Sequence, residues 1–387
     1  MKLEDMSSAL SGIRRAGRFR QVRDLRMETA SLGVDRKGKR YIVFNSNDYL
    51  GMTHEKEVKE AAEKAVCFGT GSGGARLTSG AAFELSDLEK EIADFKHAED
   101  AVIFNTGYMA NLGVLYALAG KGDVIFSDEL NHASIVDGCR ISRAETAVYR
   151  HSDMADLERL LQAVPCGGQR FIVTDGVFSM DGDICPLPTL VALKKKYSAC
   201  LIVDDAHASG VIGETGRGTA EHFHMAGIDV QVGTLSKAFG SEGGYAAASR
   251  EICDYLRNTS RPFIFSTALS PVTGAAALAA LRLLKADPEK YLGRLHENTV
   301  YMRNCLTEAG MDIVAGETPI IPILIGDEKR AVAYAEACGE EGILLSAIRP
   351  PSVPAGTSRI RLTVTVAHTK EEMKKAADIL IKHWRSK

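Results

Sequence analysis

The sequence predicts an α/β fold, with a large domain on a mainly parallel sheet and a smaller α+β C-terminal domain. Three observations predict it. From about residue 86, short β-rich runs at Ala101–Phe104, Val124–Phe126, Phe171–Thr174, Leu201–Val203 and Val230–Val232 alternate with helical stretches. These runs are almost continuously apolar, as strands covered by helices on both faces must be. After the alanine-rich helical stretch Pro271–Leu284, the pattern shifts to longer helices and an alternating strand.

The elements follow in order. Ser8–Arg26 is arginine-rich and reads as a helix, and Asp35–Lys39 is a turn feeding a strand at Tyr41–Phe44. Glu55–Phe68 reads as a helix, followed by the loop Gly69-Thr-Gly-Ser-Gly-Gly74. That loop is not Gly-x-Gly-x-x-Gly after a strand and lacks the Gly-Lys-Ser/Thr of a P-loop, so dinucleotide and nucleotide-hydrolase readings fall. Beyond the sheet region, Asp287–Gly310 is helical, Ile320–Ile325 a strand and Glu328–Glu341 a helix. Ile360, Leu362, Val364 and Val366 alternate with Arg361, Thr363 and Thr365, which predicts a half-buried antiparallel strand. A helix from Lys370 to about Trp384 closes the chain. The expected boundaries are an N-terminal arm 1–47, a large domain 48–286 and a C-terminal domain 287–387.

Composition narrows the function classes. A chain of 387 residues has room for a core that needs neither disulfides nor metals. The net charge of −3 gives no broad electrostatic reason to bind nucleic acid or membrane. Its eight cysteines contain no Cys-x-x-Cys pair, so no structural zinc site is expected and the thiols read as reduced and cytosolic. Met1–Met6 has no apolar core of a signal peptide, and no run of about 18 apolar residues occurs. The expectation is a soluble cytoplasmic protein without a metal.

Chemistry gathers at the strand exits, where open parallel sheets collect ligands. These are Asn105–Tyr108, Asp128–His132, Asp175–Asp181, Asp204–His207 and Thr234–Lys237. Lys237 follows a buried strand, and a partly desolvated lysine amine can bond a cofactor aldehyde as a Schiff base. Asp204 ends the strand before it. A carboxylate starting so deep needs a partner, either an arginine or helix cap, or the protonated nitrogen of a heteroaromatic ring. His207 either bonds the ring's phenolic oxygen or is a satisfied core histidine, and His132 either stacks on the ring or does not. Gly107 opens a helix after a strand, which is either an ordinary turn or a phosphate site, with Thr234 and Ser236 as hydroxyl donors. Amine and carboxylate together are what a protein needs to hold and tune pyridoxal phosphate (PLP).

The motifs carry a family likeness. Phe44-Asn-Ser-Asn-Asp-Tyr-Leu-Gly51, Gly71-Ser-Gly-Gly74, Asn131-His-Ala-Ser134, Asp175-Gly-Val-Phe-Ser-Met-Asp-Gly182, Val203-Asp-Asp-Ala-His207, Thr234-Leu-Ser-Lys237, Phe265-Ser-Thr267, Ala347–Pro354 and Arg359–Thr363 resemble those of the α-oxoamine synthases. These are fold-type-I PLP enzymes that join an amino acid to an acyl thioester with loss of CO₂. The resemblance implies a seven-stranded sheet and a homodimer with its active site at the subunit interface. It assigns catalysis to Lys237, Asp204, His207 and His132, and cofactor contacts to Gly107, Tyr108, Ser179 and Thr234. Ser266 and Thr267 would reach the partner's cofactor phosphate. Arg349 would take the amino-acid carboxylate, with Asn47, Ser72, Ser352 and an N-terminal arginine, Arg20 or else Arg23, near the substrates. Ile348–Pro354 with Gly356–Arg359 is most like the biotin-pathway branch, which implies L-alanine and a pimeloyl thioester carried on CoA or acyl-carrier protein. Glycine with acetyl-CoA is the nearest rival, and an aminotransferase or a non-catalytic relative is more distant. Three positions depart from the family pattern: Leu85 for histidine, Asp175 for glutamate and Ser352 for threonine.

Overall fold

The alternating apolar runs and helices build one large sheet. A computed structural model describes residues 5–385, so the first four residues of the expected arm and the last two of the chain lie outside it. The chain divides into two compact units, one of Met1–Asn47, Met180–Gly182 and Leu295–Lys387, the other of Asp48–Ser179 and Asp183–Arg294.

The second unit holds seven strands: β1 (Asp100–Phe104), β2 (Val124–Asp128), β3 (Glu145–Tyr149), β4 (Arg170–Asp175), β5 (Ala199–Asp204), β6 (Val230–Thr234) and β7 (Gly244–Ala248). Their order is β1-β7-β6-β5-β4-β2-β3. All neighbouring pairs are parallel except those of β7, which runs antiparallel between β1 and β6. Two apolar clusters cover the faces, one around Phe104, Val114, Ile202 and Val232, the other around Phe126, Leu190, Leu201 and Val203. Burial on both faces is why β1, β2, β4 and β5 read as unbroken apolar runs.

The residue pattern passed over two strands. Glu145-Thr-Ala-Val-Tyr149 lies at the sheet edge and is mostly exposed, so it lacks the apolar run. Gly244-Tyr-Ala-Ala-Ala248 is fully buried but carries small residues of low β-propensity, because backbones press close there: a Cβ on Gly244 would stand 2.5 Å from the Gly107 nitrogen.

The first unit carries two small sheets. One orders Leu25–Met27, Leu32–Asp35, Arg40–Val43 and Ile343–Leu344, and the other sets Ser358–Thr363 between Ile320–Gly326 and Ser346–Ile348. The expected helix Ser8–Arg26 is shorter, Met6–Arg15. It stops because Gly17 takes φ +65° and the Arg18 and Gly17 N–H groups turn back to Ile13 and Arg14, a left-handed cap. The predicted half-buried strand is corrected too: every residue of Ser358–Thr363 is buried. Its polar face is interior because each arginine finds partners. Arg359 pairs with Asp181, and Arg361 donates to Asn47 Oδ1 at 3.0 Å and Thr363 Oγ1 at 2.9 Å.

His368, buried in this unit, stacks on Phe44 at 4.0 Å, accepts from the Thr365 N–H at 3.0 Å and reaches the Val43 carbonyl at 3.1 Å. Burial holds its pKa down at about 4 despite those bonds. A depressed histidine pKa stabilises the fold above the unfolded value of ~6.5, and that contribution drains away as pH falls through the folded value. Between neutral pH and pH 4 the unit should lose up to about 3 kcal/mol from this residue. Melting curves of His368→Gln should be flatter with pH over that interval than those of the parent, and parallel curves would contradict it.

Among the described residues, no helix is long and apolar enough to cross a membrane, and no His, Cys, Asp or Glu cluster is placed to hold a metal.

Candidate active site

Three neighbouring strands set the first side chains. Register puts Asp175 of β4 beside Asp204 of β5, and Asp204 beside Val232 of β6. After β6 the chain turns sharply, Leu235 N–H bonding Gly243 O and Gly240 N–H bonding Lys237 O. Gly240 permits this turn: its φ is +58°, and a Cβ would stand 2.5 Å from the Thr53 nitrogen. The turn brings Lys237 Nζ to 2.9 Å from His207 Nε2. The other nitrogen, Nδ1, is 2.7 Å from the hydroxyl of the fully buried Tyr49.

Asp204 is held as firmly. Asn111 Nδ2 donates to its Oδ2 at 2.6 Å and the Ala206 N–H to its Oδ1 at 2.9 Å. The same Asn111 amide donates to Ser134 Oγ at 2.9 Å, and that hydroxyl lies 2.7 Å from His132 Nδ1. His132 donates its backbone N–H to Asp175 Oδ2 at 2.9 Å. A hydrogen-bonded chain thus runs from Asp204 to His132.

Electrostatics joins this chain to the lysine. Desolvation lowers the His132 pKa below the ordinary imidazole value, Asp204 working against it and Lys237 with it. Burial, then repulsion from Asp204, drives the Asp175 carboxyl well above the usual carboxylate range, which the His132 N–H and Lys237 only partly offset.

A second part of the crevice suits an anion. The helix Gly107–Leu118 starts here with the Thr106 hydroxyl capping the Met109 N–H, and the first N–H groups of a helix have no carbonyl one turn back. Gly107 packs on Thr234, where an added Cβ would come within 3.2 Å, and Thr234 Oγ1 lies 2.8 Å from Ser236 Oγ. The Tyr108 hydroxyl donates to Asp137, and its ring stands edge-on to His132 at 6.2 Å. Half-buried Ser179 sits in the hairpin after β4.

The remaining expected residues are carried by other segments. Ser72 donates to Ala268 O at 2.8 Å, Ala268 N–H bonds Gly74 O, and Thr267 bridges Ala75 while its carbonyl accepts from Asn105 Nδ2 at 2.6 Å, two residues before Gly107. Leu85 is fully buried in the helix Phe83–Phe95. The other unit carries Arg349, which donates to Phe19 O at 3.1 Å, along with exposed Arg20, Arg23 and Ser352, and Asn47 bound to Arg361. Tyr49, Asn111 and Ser134 went unassigned in the sequence reading. Asn111 had a signal, since it sits one helical turn after Gly107 and faces the same way; Tyr49 lay inside a matching segment.

Residues 39–380 match the family described as aminotransferase class I and II. Known relatives include the 8-amino-7-oxononanoate synthase of Citrifermentans bemidjiense, 47% identical over 380 residues and covering 98% of this chain and 97% of that one. That of Geobacter sulfurreducens is 48% identical over 374 residues, covering 96% and 95%. This chain belongs to the α-oxoamine synthases, a branch of that family. As an α-oxoamine synthase it has close structural counterparts. The serine palmitoyltransferase of Sphingomonas wittichii superposes with TM-score 0.94 at 32% identity, covering 100% of this chain and 99% of that one. An 8-amino-7-oxononanoate synthase from Francisella tularensis gives 0.76 at 29% identity, covering 89% and 98%. A further neighbour, SPT solved with PLP, gives 0.94 at 32%. The donor set here fits that cofactor class: an amine and a buried carboxylate bear on one imidazole, and a side-chain-free helix start beside two hydroxyls leaves a cradle for phosphate.

Proposed function

We propose that this α-oxoamine synthase condenses L-alanine with a pimeloyl thioester, using PLP, to give 8-amino-7-oxononanoate, CO₂ and the free thiol carrier, a step of biotin synthesis. One observation carries the reading: Lys237 and Asp204, at successive strand exits, both act on His132 within a chain 47% identical to such a synthase over nearly its whole length.

PLP, when bound, supplies an aldehyde that takes up an amine and a ring that accepts the electron pair left on an amino-acid Cα. Lys237 anchors the cofactor, then removes the Cα proton of alanine and later returns one. Its neighbour His207, fixed by Tyr49, would bond the phenolic oxygen. Asp204, oriented by Asn111 and the Ala206 N–H, holds the proton on the ring nitrogen. His132, whose pKa burial lowers, would stack on the ring. Gly107, Tyr108, Ser179 and Thr234 would hold the cofactor, with the helix start as the cradle for its phosphate. Arg349 takes the alanine carboxylate, which fixes the Cα bond to be broken. Asn47, Ser72, Ser352 and Arg20 or Arg23 complete the substrate contacts.

The unit of function in this reading is a homodimer, with Ser266 and Thr267 reaching the partner's phosphate. Leu77, Phe83 and Phe265, 58%, 86% and 69% exposed, lie on or beside the segments paired with Thr267, and such large apolar exposure marks a protein interface. The cysteines of the described residues are all free, in keeping with a cytoplasmic site of action.

Thiol release decides the substrates when alanine, glycine and serine are crossed with acetyl and pimeloyl thioesters. Alanine with pimeloyl thioester should turn over fastest. Faster release with glycine and acetyl-CoA would replace this reading with glycine C-acetyltransferase, and loss of colour with alanine alone would point to an aminotransferase.

A further inference from the structure

Outside the constellation just described, one cluster ties two of its segments together. His151 Nδ1 is 3.0 Å from Asp128 Oδ1, and Nε2 is 2.9 Å from Asp183 Oδ2. Carboxylates only accept, so both ring nitrogens must donate and the imidazole is a cation. Burial opposes that charge, but the bonds to Asp128 and Asp183 prevail and the pKa is pushed up to about 10. The ring therefore stays charged, and the tie intact, throughout the neutral range.

What the ring joins matters more than its charge. Asp128 ends β2 and also accepts the Leu130 N–H and the Ser152 N–H, both at 2.9 Å, so it fixes the loop that leads to His132. The backbone N–H of His151 donates to Glu129 in that loop at 2.8 Å. Asp183 closes the hairpin after β4: Phe178 N–H bonds Asp183 O, Val177 bridges Ile184, and Cys185 N–H bonds Gly176 O. The His151 ring also stands edge-on to Phe178 at 4.4 Å, so it grips both arms of the hairpin that carries Ser179. The other oxygen of Asp183 is buried without a partner, which leaves this carboxylate dependent on His151.

We propose that His151 is a positioning residue for the reaction, a tie between the β2 exit and the β4 hairpin that sets the spacing at which His132 and Ser179 meet PLP. This rests on the reading above that both contact the cofactor.

The test compares His151→Leu and His151→Arg with the parent. Amide exchange at Val177–Ile184 is followed in enzyme stripped of PLP, and the PLP dissociation constant and melting temperature are measured separately. In the leucine variant, hairpin exchange should quicken and PLP binding weaken, each by ~10-fold or more, the loss of a charged hydrogen bond. The arginine variant still offers donors to both carboxylates and should recover most of both losses. A leucine variant that matches the parent in exchange and PLP affinity overturns the proposal, as does one whose melting temperature alone falls. Should that variant fail to fold, Asp183→Ala cuts one arm at a partly exposed position, and parent-like values there also overturn it. Absence of PLP binding by the parent would instead sink the cofactor reading, while the exchange data would still judge the tie.

Discussion

Lys237→Ala should lose the visible absorbance of PLP bonded to that lysine and turn over at least ~100-fold more slowly with alanine and the thioester. In the proposed mechanism two contributions vanish together: the amine that anchors the cofactor and the base that moves the Cα proton. The Nζ of Lys237 is 2.9 Å from His207, whose far nitrogen is pinned by Tyr49, so the amine is aimed by a fully buried tyrosine and is not a mobile surface charge. The helix start at Gly107 and the Thr234 and Ser236 hydroxyls are untouched by the change, and the variant should still bind PLP, with the shorter-wavelength band of the free aldehyde. A variant that keeps both colour and rate would remove Lys237 from the mechanism.

Asp204→Asn should bind PLP yet exchange the Cα proton of alanine at least ~100-fold more slowly. The side chain stays the same size, and the amide can keep its oxygen toward Asn111 Nδ2. What then faces the ring is an N–H donor, which matches only an unprotonated nitrogen. An unprotonated ring is a poor acceptor for the Cα electron pair, so the loss falls on proton removal and not on affinity. Undiminished exchange in the variant would refute the role given to Asp204. The second experiment reads Cα–H exchange without thioester, so it holds whichever acyl chain the enzyme uses.

How much of this was legible follows from what each residue depends on. The positions of Lys237 and Asp204 at strand exits could be read because buried apolar runs mark their own ends, and a polar residue at such an end is placed by the strand itself. Asn111 and Tyr49 could not be given their roles, because these depend on which helix start and which loop lie against β5. Gly244–Ala248 escaped for a similar reason: alanines and glycine carry no β signal until the neighbouring Gly107 backbone demands small residues. The alternation at Ile360–Val366 correctly signalled a strand, yet alternation alone does not distinguish solvent from a buried polar layer, and here Arg359 and Arg361 are buried. Leu85 shows the converse, an expected family histidine replaced by a residue that simply fills the core.

The most direct measurement is a crystal structure of the protein with PLP. The account predicts electron density joining the Lys237 nitrogen to the cofactor, with the ring nitrogen within ~3 Å of the Asp204 carboxylate. A ring bonded to a different lysine, or one whose nitrogen faces away from Asp204, would contradict it.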